Sequence, residues 1–174
     1  MANLFVQAPH RWDVSTAEAR EIQEGLRSQV IRSGKPKKIR LVAGVDISIR
    51  DDRAIAAIVV LDFPSLEIVE VALAEQAVPF PYVPGLLSFR EIPSILAAAR
   101  KLKSPVDLLL VDGQGIAHPR RFGLASHLGV LFDVPSIGCA KTRFIGTHDE
   151  PAEEAGCYTD LWDGDELIGA VLRT

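Results

Sequence analysis

Two aspartates close apolar, β-rich runs in this chain: Asp46 in VAGVDIS and Asp112 in LLLVDGQG. An ionised carboxylate in such a place costs free energy unless it is paired or holds a cation. In α/β sheets, ligands collect beyond the carboxyl ends of the strands. If the two strands are neighbours, both carboxylates reach one edge despite the 66 positions between them. Hard oxygen donors of this kind suit Mg²⁺, which takes a few carboxylates and keeps several waters. Alternatively each aspartate caps a turn, and Asp112-Gly113 is a good turn dipeptide. As a pair they favour the metal.

Other positions could complete such a site. Glu91 falls where a helix is expected to break ahead of Pro93; alone it reads as a helix-start carboxylate favoured by the dipole. Lys141 ends SIGCAK at the same predicted edge, where it could meet a phosphate or lie on the surface. Pro81-Tyr82-Val83-Pro84 is a stiff finger, neither helix nor strand, that holds an aromatic ring just ahead of Glu91. A proline-rich surface turn accounts for its stiffness but not for that adjacency. GIAHPRRFG sets His118, Arg120 and Arg121 before a helix start, where basic flanks and free amides attract phosphate. A solvated basic loop explains it equally well. The Lys35–Arg40 run is a further candidate for phosphate contact. Cys139 and Cys157 lack metal-ligand spacing and read as core thiols, while His10, His127 and His148 form no constellation.

The elements that must position these residues follow from periodicity. Ser15 and Glu18 make a capping box, and Ala19, Ile22, Leu26 and Val30 recur at helical spacing, predicting a helix to about Arg32. IRLVAGVDISIR, AIAAIVVLDF and LEIVEVALAEQAV, joined by short turns, predict an antiparallel meander whose first strand is covered on both faces. Leu86 to about Lys103 is helical with an interruption near Ile92, Pro93 opening the second piece. VDLLLVDG is a strand, RFGLASHLGVLFD a helix and VPSIGCAK a strand; CYTDLWDGDELIGAVLRT is a hairpin turning at Asp163-Gly164. The order predicts an α/β fold with a mixed five-stranded sheet and helices on both faces.

At 174 residues the chain suits one domain, and 48% hydrophobic with 24% charged residues is ordinary for a globular protein. No apolar run approaches the ~18 residues of a membrane span, and MANLFVQAPHRW lacks signal-peptide character, so a cytoplasmic setting is expected. The net charge of −4 is unevenly spread: residues 1–148 carry +3 and residues 149–174 carry −7. The acidity of the last stretch therefore does not exclude a polyanionic partner for the rest.

VAGVDIS, PYVPGLLSFRE, LLLVDGQGIAHPRRFGLASHLGV and IGCAKT, in that order, resemble the successive motifs of endonuclease V, the deoxyinosine-directed repair nuclease. The resemblance runs from about Trp12 to Thr174. It implies an RNase H-like fold, Asp46, Glu91 and Asp112 as ligands of Mg²⁺ (with Mn²⁺ as a substitute), and Lys141 assisting at the scissile phosphate. It also implies that the Pro81–Pro84 finger is a wedge, with Tyr82 stacking where the damaged base stood. Gly85, Leu87, Gly113 and Gly115 match pocket positions that read the turned-out base through backbone groups, which glycine allows to come close. The partner implied is inosine-containing DNA, with RNA as the variant, and no membrane.

Members of that family continue past the LRT that ends this sequence, into a Ser-Pro-Gly-His segment whose histidine completes the catalytic cluster. The sequence holds no copy of that motif, so it reads as a single RNase H-like domain, residues 1–174, shortened relative to the family. None of its four histidines is assigned the role. Two alternatives stand beside the repair nuclease: another RNase H-like nuclease acting on inosine-containing RNA or branched DNA, and a lesion-binding module that does not cut.

Overall fold

A computed structural model of the protein describes Leu4, residues 10–34, Pro36 and residues 38–174. Helix α1, Thr16–Leu26, begins where the sequence places it: Ser15 Oγ accepts from the Glu18 amide at 3.2 Å and Glu18 Oε2 from the Ser15 amide at 2.8 Å. It is shorter than predicted. Past Gly25, a weak helix former, the chain tightens into a 3₁₀ turn over Arg27–Gln29 and then extends at Val30.

Strands β1 (Leu41–Arg50), β2 (Arg53–Asp62) and β3 (Ile68–Ala77) form the predicted meander. Asp51 and Asp52 both take positive φ, 49° and 57°, as a two-residue hairpin loop of mirror-image type needs. After helix α2, Leu87–Ala99, the short strands β4 (Leu108–Val111) and β5 (Ser136–Gly138) flank helix α3, Leu124–Phe132. The sheet order is β3-β2-β1-β4-β5, with β4 parallel to both β1 and β5, so β1 lies at the centre. Strands β6 (Tyr158–Asp163) and β7 (Glu166–Leu172) pair separately as an antiparallel hairpin.

Two expectations need correction. Helix α2 is continuous, and Pro93 stands inside it rather than at the start of a second piece. An interior proline costs about 3 kcal/mol. Here the flanking turns bury Phe89, Ile92, Ile95 and Ala98 at no more than 1% exposure, and that packing outweighs the local rule. Among the described residues the helices also do not cover both faces of the sheet. Ala43, Val45, Ile58, Val60, Leu109 and Val111 share one face and form a single core with α2 and α3. Helix α1 packs Ala19 against Phe80 and against Phe89 at the start of α2, and it also touches α3. On the opposite face Ile55, Val71, Leu73, Leu110 and Ile137 are 37–55% exposed. Among the described residues no helix is long and apolar enough to cross a membrane.

Candidate active site

The parallel register of β1 and β4 pairs Val45 with Val111, and the Asp112 amide donates to the Val45 carbonyl at 3.0 Å. The next residue on β1 is Asp46, so backbone pairing alone carries the two aspartates to one sheet edge. Asp46 is exposed, and its Oδ1 accepts from the Ile47 amide at 2.8 Å. The carboxylate that suffers desolvation is Glu91, in the second turn of α2 and not at a helix start. Burial, then the charges of Asp112 and Asp46, push the Glu91 carboxyl up to about 7. Lys141 lies three residues beyond the end of β5, in a turn rather than on the strand, and donates to Asp112 Oδ2 at 2.5 Å.

These side chains line a cleft of about 390 Å³ whose wall also includes Tyr82–Gly85, Leu87, Gly113 and His118; Pro81, Gly115, Arg120 and Arg121 are not part of it. The donor set fits a hard cation: three carboxylates share one cleft, and their mutual repulsion is felt at Glu91. As oriented, no three His, Cys, Asp or Glu side chains among the described residues converge closely enough to hold an ion. Lys141 takes Asp112 and Asp46 turns back on its own strand, so closing the trio around a cation requires side-chain rotation.

The finger projects over the cleft with Tyr82 72% exposed at its tip. Both of its roots are pinned. At the first, Phe80 is buried and its carbonyl accepts from Arg90 Nη1 at 2.9 Å. At the second, Gly85 takes φ +80°, which only glycine adopts without strain, and the Leu86 amide donates to the Val83 carbonyl at 2.9 Å.

The basic loop differs from its prediction. His118 is 3% exposed; its Nδ1 accepts from the Arg120 amide at 3.2 Å, so Nε2 carries the proton and donates to the Gly85 carbonyl at 3.0 Å. Burial and the neighbouring Arg120 charge hold this imidazole down to about 4, hence neutral. Arg120 donates to Gln23 and to the Gly85 carbonyl. Arg121 donates to Glu166, to the His118 carbonyl and to Asp163, at 2.7, 3.1 and 2.7 Å. His118 therefore has no donor turned to solvent phosphate, each guanidinium nitrogen of Arg121 is already engaged within the protein, and Arg120 is largely committed inside. The partners of Arg121, Asp163 and Glu166, belong to the acidic stretch that the charge count set apart from it. Of the Lys35–Arg40 run, Lys35 and Lys37 lie outside the described residues, and Lys38 is exposed.

Several contributors went unread in the sequence. A Cβ on Gly138 would meet backbone atoms of Gly113, Gln114 and Gly115 at 2.5–2.9 Å, and one on Gly123 would meet the Gln114 carbonyl oxygen at 2.4 Å. The 113–115 loop is thus clasped between two other glycines, while a Cβ at Gly115 itself finds nothing nearer than 3.7 Å. Phe144 lines the cleft and its ring lies 5.6 Å from that of His118. Cys139 is exposed and Cys157 half-buried, so neither is a core thiol. His127 is fully buried and meets His10 Nε2 at 2.8 Å amid Trp12, Phe89 and Phe122, a structural pair away from the carboxylates.

The mixed sheet β3-β2-β1-β4-β5, with its parallel β1–β4 pair, is an RNase H-like fold. The family model described as Endonuclease V matches residues 24–174. An Endonuclease V of Roseiflexus sp. (strain RS-1) is 53% identical over 163 residues, covering 94% of this chain and 73% of the relative. The crystal structure of the Endonuclease V from Streptomyces avermitilis superposes with a TM-score of 0.86 at 46% identity, covering 97% of this chain and 76% of that one. A Ciona intestinalis Endonuclease V was solved with a 24mer DNA containing an inosine followed by a ribo-adenosine; it matches at TM-score 0.67 and 34% identity, over 75% of this chain and 59% of its own. The chain belongs to the endonuclease V family of deoxyinosine 3′ endonucleases.

Proposed function

We propose that the protein is a Mg²⁺-dependent repair endonuclease that recognises deoxyinosine in DNA. It hydrolyses the second phosphodiester bond 3′ to the lesion and leaves a 3′-hydroxyl. The observation that carries this reading is one cleft joining Asp46, Glu91 and Asp112 to an exposed, doubly rooted Tyr82 finger.

Tyr82 enters the stack at the lesion, offsetting part of the few kcal/mol that unstacking a base costs. The turned-out base meets the backbone of Gly85, Leu87 and Gly113, which line the cleft. Asp46, Glu91 and Asp112 would hold Mg²⁺, or Mn²⁺ in its place. The bound ion supplies Lewis acidity at the scissile phosphate. Lys141, on the open side of Asp112, brings a second positive charge toward the same phosphate.

The test is a nicking assay on one duplex with and without a single inosine, with Mg²⁺ or chelator, and with product ends mapped. Selective Mg²⁺-dependent nicking at the second 3′ bond is expected. Binding without nicking would make the protein a lesion-binding module, and faster nicking of inosine RNA would make it an RNA-directed relative.

A further inference from the structure

One carbonyl in the cleft wall is held by more donors than it has lone pairs. The Gly85 oxygen accepts from Gln23 Nε2 at 3.0 Å, His118 Nε2 at 3.0 Å and Arg120 Nη2 at 2.7 Å. The three donors come from α1 and from the loop before α3. Gln23 joins them: its Nε2 also donates to the Phe122 carbonyl at 3.2 Å, and its Oε1 accepts from Arg120 Nε at 2.6 Å. At 1% exposure its amide meets no water, so these contacts are its whole hydrogen-bonding environment.

We infer that Gln23 is a positioning residue for lesion recognition: with His118 and Arg120 it locks the Gly85 carbonyl and thereby the attitude of the Tyr82 finger. This rests on the wedge reading of Tyr82. The lock holds the second root of the finger, as the Arg90 bond to the Phe80 carbonyl holds the first. A finger fixed before binding does not lose that freedom when it enters the duplex, so preorganisation appears as affinity for the lesion. Both donors sit close over the glycine: a Cβ at Gly85 would meet Arg120 Nη2 at 2.8 Å and His118 Nε2 at 3.4 Å. Gln23 acts through Gly85 and not on the reacting phosphate, so its loss should be felt in binding and not in the chemical step.

The test compares Gln23→Met, which keeps volume and removes the amide, with Ser15→Ala, which removes the cap of α1 without touching Gly85. Arg120→Gln is the second variant should Gln23→Met fold poorly. Two readouts are taken on each folded variant: the affinity ratio for inosine over undamaged duplex, and hydrogen exchange of the Leu86 amide in the free protein. Gln23→Met should lower the ratio about tenfold, speed Leu86 exchange about tenfold and leave single-turnover nicking at saturating enzyme near wild type. Ser15→Ala should leave all three unchanged. An unchanged ratio in Gln23→Met, or equal losses in both variants, overturns the inference. Should the wild type fail to prefer inosine, the lesion reading falls, while Leu86 exchange still reports whether the lock exists.

Discussion

Lys141 donates to Asp112 at 2.5 Å, so the carboxylate that a cation needs already holds a positive charge. The lysine is 79% exposed and Asp112 29%, which leaves the ammonium free to swing toward a phosphate once another cation takes its place. Lys141→Met should therefore not raise the Mg²⁺ concentration needed for half-maximal nicking. Turnover should fall roughly tenfold or more, the scale of losing one electrostatic contact to a reacting oxyanion. A higher Mg²⁺ requirement with unchanged turnover would show that Lys141 supports the metal site instead.

Glu91 is the carboxylate whose protonation is tied to folding. Its folded value of about 7 lies above the ordinary 4.5, so the native state keeps a proton that the unfolded chain releases within that window. Stability attributable to this group falls as pH rises from 4.5 to 7, and the penalty is complete above 7. In chelator, Glu91→Gln should exceed wild type by a few kcal/mol at pH 8 and by almost nothing at pH 4. The same variant should lose Mg²⁺-dependent nicking. Thermal unfolding at the two pH values decides it, and an equal gain at both would remove the repulsion argument.

Tyr82→Ala should leave the fold intact, because the ring is exposed. A stacked aromatic is worth roughly 1–3 kcal/mol per base, hence about tenfold or more in affinity for an inosine duplex. Equal affinity of mutant and wild type would reduce the finger to a turn.

Arg121 has all three guanidinium nitrogens engaged within the protein, whereas Arg143 is exposed on the wall of the cleft. Arg121→Gln should lower stability by about 1–2 kcal/mol and leave the log–log salt slope of duplex binding unchanged. Arg143→Gln should reduce that slope by about 0.9, the increment for one phosphate contact. A reduced slope in Arg121→Gln would return the HPRR loop to the DNA interface.

What the sequence made legible was whatever broke a local pattern. Asp46 and Asp112 stand out because they interrupt apolar strands, and Tyr82 because prolines bracket it. The misreadings arose where distant partners decide the matter. Pro93 looks like a helix start until the burial of Phe89, Ile92 and Ile95 is counted. Arg121 looks like a phosphate ligand until Asp163 and Glu166, more than 40 residues on, are brought to it. Gln23 is one polar residue among several on α1, and Gly138 resembles any strand glycine. Nothing local distinguishes either. Their roles exist only once Gly85 and the 113–115 loop have been carried beside them.

The unbroken course of α2 makes the finger and Glu91 parts of one lever. The finger runs into the helix at Leu87, and Glu91 follows four residues later, about 6 Å along the axis. Continuity past Ile92 ties the start of α2 to Ile95 and Ala98 as well, so finger and glutamate ride on the whole buried length of the helix. With Phe89 and Ile92 packed on either side of the glutamate, whatever seats Tyr82 also sets where the carboxylates stand. On the proposed reading, the offset between lesion and cut is then a length stored in the protein, a ruler with the tyrosine at one end and the carboxylates at the other. Such a ruler needs no base sequence between its marks.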